Sequence, residues 1–276
     1  MAFSVMTALA KVAGATLPLF ELVAGRSLVV ALLAGVALRR QGHSFRGRET
    51  RLVVQRALLG FVALSCYFYS VIHLPLADAT VIYFTNPVLT ALAAAVVLRE
   101  HMGWKEVVLV GISLGGVLMV ARPSFLFGAG QALDPVAVAI GLVSAAFGAA
   151  SYVTIRSIRR DPPLLIVFYF SLITVLLAGP LSVRSFVVPT PMDVLVVTGM
   201  GVSTHVGQLW LTWGLRLERA GRASAVGYLQ IVFAAGWGWI LFQEIPDVWT
   251  WGGATVIALA TLRLVRLHPP LRVPKA

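Results

Sequence analysis

Apolar residues run along this chain in blocks of about 17–25, each closed by proline, glycine or charge, which is the length needed to cross a hydrocarbon core of about 30 Å. The blocks fall near residues 2–16, 19–38, 52–73, 76–98, 104–121, 134–155, 163–180, 192–215, 221–242 and 247–265. The stretches between them are short except for 39–51 and 122–133, and none is long enough for a further domain. The pattern predicts an all-α integral membrane protein with ten transmembrane helices.

Composition agrees. Hydrophobic residues make up 59% of the chain and charged ones 12%, with a mean hydropathy of +0.89. A soluble domain carries about a quarter charged residues, so there is too little polar surface here to coat a globule. The first block starts at Met1 with no basic stretch before it and no small-residue cleavage site after it, and it reads as a helix of the mature protein rather than a signal peptide. The single cysteine, Cys66, lies inside an apolar block, leaving neither a disulfide framework nor a Cys-based metal site.

A formal charge of +11 would suggest nucleic acid in a soluble protein. In a membrane protein, basic residues hold loops on the cytoplasmic side. If the N-terminus is cytoplasmic, the inner loops and helix ends hold Arg39, Arg40, Arg46, Arg48, Arg51, Arg56, Arg99 and Lys105. Further along they hold Arg156, Arg159, Arg160, Arg216, Arg219, Arg222, Arg263, Arg266, Arg272 and Lys275. That is 18 of the 22 basic residues; Arg122 and Arg184 fall outside, and Lys11 and Arg26 sit within spans. The expectation is a multi-pass protein of a bacterial inner membrane with both termini cytoplasmic and no nucleic-acid partner.

Sliding the chain against itself by 144 positions gives a gap-free match. Leu32-Leu33-Ala34-Gly35 falls on Leu176-Leu177-Ala178-Gly179, Pro18 on Pro162, Ala79 on Ala223, Glu100 on Glu244 and Arg122 on Arg266. Each identity is weak alone, but the constant offset holds from the second span to the tenth. The halves are 1–128 and 132–268. Each has five spans, and because five is odd the second enters the membrane from the opposite side. The repeats are therefore expected to be inverted, an arrangement common in secondary transporters.

The stretch Leu76-Ala77-Asp78-Ala79-Thr80-Val81-Ile82-Tyr83-Phe84-Thr85-Asn86-Pro87-Val88-Leu89-Thr90-Ala91-Leu92, closing at Leu98-Arg99-Glu100, resembles the fourth helix of the EamA-type unit. Arg26 in the second span and Glu244 closing the ninth fit the same pattern. The chain thus resembles the ten-helix members of the drug/metabolite transporter superfamily, which carry two EamA units. The resemblance covers nearly the whole chain. It implies a secondary transporter exporting small metabolites, foremost amino acids, and the aromatic richness resembles the aromatic amino-acid exporters of that group.

Polar groups inside a bilayer are costly unless they face a bundle interior or cavity, so they nominate a site. Tyr83, Asn86 and Thr90 share one face of the fourth span, and His205, Gln208 and Thr212 repeat that spacing on the eighth. Gln230 stands at the repeat equivalent of Asn86. Pro87 cannot donate to the carbonyl of Tyr83 and predicts a helix break with a free acceptor there. The substrate-contact candidates are Tyr83, Asn86, His205, Gln208, Trp213, Tyr228 and Gln230, with Arg26 as a gate or anion contact. The competing reading is that these groups join helices, each contributing only about 0.6–2 kcal/mol. Gly111-Ile112-Ser113-Leu114-Gly115 reads as a close-packing motif within the chain.

No acidic residue falls near mid-membrane, which disfavours bulky organic cations as cargo. Proton coupling would need His205, whose ordinary pKa is about 6.5; downhill export is the alternative. The rival functions are a multidrug or organic-cation exporter, a membrane enzyme and a non-transporting scaffold. The chain offers no HExxH, no paired intramembrane aspartates, no Ser–Lys dyad and no phosphate-cradling loop, so neither catalysis nor an ATP-driven pump is expected. No cofactor or metal is called for. The expected partners are a small-molecule substrate and the lipid bilayer, with the chain a monomer and a dimer the alternative.

Overall fold

The computed structural model describes residues 1–74, 76–100, 102–122, 126, 133–243 and 247–267. Glu244, Arg272, Lys275 and the side chains of Lys11, Leu76 and Ala77 lie outside that description. Every regular element among the described residues is helical. In chain order they are α1 Ala2–Ala13, α2 Leu19–Arg40, α3 Thr50–His73, α4 Leu76–Tyr83, α5 Asn86–Val97 and α6 Trp104–Ala121. There follow α7 Pro135–Ser157, α8 Pro163–Ser182, α9 Pro191–Leu217, α10 Ala220–Ala225, α11 Leu229–Phe242 and α12 Val248–Arg266. Two short 3-10 turns, Val183–Ser185 and Val226–Tyr228, follow α8 and α10.

Nine segments among the described residues are long and apolar enough to cross a membrane, with α4 and α5 read as one and α10 and α11 as another. The expected tenth, α1, has 12 residues. At 1.5 Å per residue it reaches only about 18 Å. Past Gly14, whose N–H still makes the α-helical bond to Ala10 (2.8 Å), the N–H groups of Ala15 and Thr16 close only three-residue turns onto Val12 and Ala13 (3.4 and 3.1 Å), and Pro18 disfavours helix at Leu17.

The described helices form two compact units, each drawing on both halves of the sequence. The first comprises residues 1–61 and 158–213. At its centre α2 packs along α8, its own counterpart at the 144-residue offset, through Val30, Ala34 and Val167 and through Leu38, Leu164 and Leu165. Asp161, in the turn before α8, accepts the backbone N–H groups of Arg48 and Glu49 (2.6 and 2.8 Å), and Glu49 accepts those of Arg159 and Arg160. These bonds satisfy the donors of two loop ends that would otherwise be orphaned.

The second unit comprises residues 62–157 and the chain from Gly214 onward. Here α6 packs along α12, again its own counterpart, around Val110, Val117, Ile257 and Leu264. The backbones approach closely at Gly116 and Gly253: a Cβ on Gly116 would sit 2.9 Å from the carbonyl of Gly253, and one on Gly253 would sit 2.6 Å from that of Gly116. Small residues at a helix crossing permit such van der Waals packing where no hydrophobic driving force exists. The motif expected to do this was Gly111 to Gly115. Both of those glycines face open space, and the crossing lies one residue further round the helix, at Gly116. At the far end of the pair, Asp247 caps α12 through the N–H of Thr250 (3.0 Å) and binds Arg122 at 2.6 Å.

Candidate functional site

The polar candidates divide between the two units. Tyr83, Asn86, Pro87, Tyr228 and Gln230 belong to the second, and Arg26, His205, Gln208 and Trp213 to the first.

In the second unit the break expected at Pro87 is present, since helix stops at Tyr83 and restarts at Asn86. The N–H of Val88 turns back to the carbonyl of Thr85 (3.0 Å) instead of reaching Phe84. The carbonyl of Phe84 accepts the hydroxyl of Tyr228 at 3.0 Å. The expected free acceptor was Tyr83; the acceptor seen taking a side chain is its neighbour. Tyr228 ends the 3-10 turn that interrupts α10 and α11, so the fourth and ninth spans are both broken. Phe84 and Tyr228 stand 144 residues apart, at equivalent positions of the repeat. Tyr228 is fully buried, and its ring lies 5.8 Å from that of Phe84.

Asn86 is 3% exposed and donates its amide to the carbonyl of Ala145 in α7 (3.0 Å) while accepting the hydroxyl of Thr90 (3.2 Å). Tyr83 is half-buried with its ring 4.7 Å from that of Tyr67, and Gln230 is half-buried. Asn86 and Tyr228 thus make the helix-joining contacts of the competing reading.

In the first unit, one face of α9 carries Thr204, His205, Gln208 and Thr212. Gln208 accepts a hydrogen bond from the guanidinium of Arg56 (3.2 Å), which lies 4.2 Å from the centre of the Phe170 ring. Arg56 is 3% exposed. Gly60, one turn beyond it, leaves the space: a Cβ there would lie 2.8 Å from the Phe170 ring. His205 is half-buried, and its Nδ1 is buried with no hydrogen-bond partner among the described residues. The hydroxyls of Thr204 and Thr212 are in the same condition. Three buried polar atoms left open on one helix face call for a partner from outside the fold, such as a ligand or water. Arg26 is buried, its guanidinium 3.6 Å from the sulfur of Met6, whereas Trp213 is 46% exposed.

Arg56 escaped the sequence reading because it was counted among the basic residues of inner helix ends. The signal that could have found it is the Arg-x-x-x-Gly spacing inside an apolar block. A buried cluster in the second unit escaped for the same reason. Glu106, 2% exposed, pairs with Arg222, lies 3.7 Å from Arg219, and accepts the N–H of Gly103 (2.9 Å). Arg222 also holds Glu218 at 3.0 Å, and Arg156 holds Glu100 at 2.8 Å. Among the described residues no three His, Cys, Asp or Glu come together as a metal site would require.

The EamA-like transporter family model matches this chain at residues 1–122 and again at 135–266. The chain belongs to the EamA-like transporter family. It is 35% identical over 266 residues to the pseudopaline exporter CntI of Pseudomonas aeruginosa, covering 96% of this chain and 92% of that protein. It is 23% identical to the S-adenosylmethionine uptake transporter of Rickettsia prowazekii, covering 77% of this chain and 70% of that one. A solved crystal structure shares its fold over 97% of both chains, with a TM-score of 0.80 at 18% identity. This EamA-like chain is therefore a multi-pass membrane transporter with two EamA units. Its substrate is a separate matter, since these relatives are named for different cargoes and opposite directions.

Proposed function

We propose that this transporter is a secondary exporter of a small carboxylate-bearing metabolite, working by alternating access. In this reading the halves 1–128 and 132–268 are inverted repeats, the termini are cytoplasmic, and a monomer in a bacterial inner membrane moves the substrate without a cofactor. The observation that carries it is the paired break: the fourth span is interrupted at Phe84-Thr85 and the ninth at Val226–Tyr228. Interrupted helices at corresponding positions of two halves mark the binding region of inverted-repeat transporters. The packing of α2 on α8 and of α6 on α12, each helix against its own repeat counterpart, supports the same symmetry.

The buried guanidinium groups of Arg26 and Arg56 favour a carboxylate over an organic cation as cargo. The open polar atoms of Thr204, His205 and Thr212 supply hydrogen-bonding groups beside Gln208. Pseudopaline is the first substrate to test, because a relative 35% identical over nearly the whole chain exports it. Neutral amino acids, aromatic ones included, come second.

The test is counterflow in proteoliposomes loaded in turn with pseudopaline, phenylalanine, alanine and a cationic dye. Saturable exchange of an anionic or zwitterionic compound, with none of the dye, is expected. Exchange of the dye alone contradicts the reading.

A further inference from the structure

The outward side of the α6–α12 pair carries a second binding feature, unrelated to the polar candidates above. A cavity of about 460 Å³ opens there, lined by Trp104, Lys105, Val108, Ile112, Arg263 and Arg266 among others. Trp104 begins α6 and Arg266 ends α12, so the cations sit together at one end of an antiparallel pair. Lys105, Arg263 and Arg266 are exposed, and none is paired with an acid among the described residues. Ile112 lies eight residues along α6, about 12 Å deeper into the bilayer, and is 46% exposed. Trp104 is 77% exposed at the mouth. The wall is therefore cationic at the membrane surface, aromatic beside it and apolar below.

We infer that this groove is a binding site for one anionic glycerophospholipid, with its phosphate among Lys105, Arg263 and Arg266 and an acyl chain along Val108 and Ile112. A tryptophan at such a mouth sits at the headgroup level of a bilayer. Clustered Lys and Arg at a membrane surface attract anionic lipid by about 1 kcal/mol each, roughly fivefold in affinity per residue. A soluble anion would be drawn by the charges but has no use for the apolar wall. The other end of the same helix pair shows that the cluster is not a by-product of the repeat. There Arg122 is neutralised by Asp247 at 2.6 Å, and the equivalents of Trp104, Lys105 and Arg263 are Val248, Trp249 and Met119.

Native mass spectrometry of the purified transporter in an equal mixture of phosphatidylglycerol and phosphatidylethanolamine reads the preference directly. The wild type is expected to retain phosphatidylglycerol at least about fivefold better. The triple variant Lys105→Gln/Arg263→Gln/Arg266→Gln loses that preference, while Arg39→Gln/Arg40→Gln/Arg46→Gln, which removes three charges elsewhere, keeps it. Should the triple variant not fold, Arg263→Gln and Arg266→Gln singly each lower the ratio. In bilayers, bromine-labelled phosphatidylglycerol quenches the protein's fluorescence more than bromine-labelled phosphatidylcholine, and Trp104→Phe abolishes the difference. Equal retention of the two lipids by the wild type overturns the proposal, as does equal loss in both triple variants. A thermal shift with inorganic phosphate as large as that with phosphatidylglycerol overturns it too, because it would mean an anion pocket with no lipid.

Discussion

The two units bury similar polar chemistry but arrange it differently. In the second, the candidate residues and the ion pairs have partners: Glu106 with Arg222, Arg156 with Glu100, Asn86 with Ala145 and Thr90, Tyr228 with Phe84. The open buried atoms there, Ser70 Oγ, Thr261 Oγ1 and Arg222 Nε, lie on separate helices. In the first, a guanidinium lies on an aromatic ring and an amide, and the α9 face beside it leaves a histidine nitrogen and two threonine hydroxyls open. A polar residue inside a membrane is thus no sign of a ligand in itself. What separates a structural group from a ligand-facing one is whether the fold already supplies its partner. On that criterion Asn86, Tyr228 and the Glu106 cluster join helices around the breaks, and the open α9 face of the first unit is the side-chain surface proposed for substrate.

The strongest way to break this comparison is at the buried ion pair. Glu106→Gln leaves the Arg222 charge buried without its main counter-ion, and loss of one partner of such a pair costs about 3–5 kcal/mol. A large fall in melting temperature in detergent is expected, with much of it restored by adding Arg222→Met. An unchanged melting temperature would mean that the second unit is not held by this pair.

Tyr228→Phe is a smaller perturbation of the same kind. It strands the carbonyl of Phe84, at a cost of about 1–3 kcal/mol. Stability should fall while the KM of folded, reconstituted protein stays as it was. A raised KM with unchanged stability would move Tyr228 from scaffold to substrate contact.

The smallest effect is expected at the Arg122–Asp247 staple of the second unit. The N–H of Thr250 foremost, then its hydroxyl and Arg122, hold the Asp247 carboxyl below the usual carboxylate range against the opposing effect of burial. A carboxyl depressed in the folded state stabilises above its unfolded value near 3.9 and ceases to do so as pH falls through its folded value. The difference in melting temperature between wild type and Asp247→Asn should therefore hold steady from about pH 7 to 5, begin to shrink near about pH 4 and vanish only once pH falls below the lowered folded value. Salt should shrink it, since both partners are exposed.

Much of the fold was legible because membrane thickness writes itself into sequence as block length. The described helices start and stop within a few residues of the apolar blocks, and the break at Pro87 followed from its missing donor. The short α1 was not legible, because an apolar block does not report where its helix ends; the three-residue turns at Ala15 and Thr16 do. The site was harder to read for a related reason. Asn86 and His205 look alike in sequence, each a polar residue at mid-span, and only the carbonyl of Ala145 lying within reach of the first distinguishes them. Arg56 and Glu106 were hidden by position: near a helix end, a charge is taken to face water until its burial is known.

The most direct test of the central claim is a paired counterflow measurement on His205→Ala and Tyr228→Phe at matched amounts of folded protein, using the substrate that wild type exchanges. His205→Ala should keep the wild-type melting temperature and lose exchange by about tenfold or more, the equivalent of about 1.4 kcal/mol of binding lost from the transport cycle. Tyr228→Phe should lose stability and keep its exchange rate. If His205→Ala exchanges like wild type while Tyr228→Phe does not, the division into scaffold and ligand-facing residues is wrong.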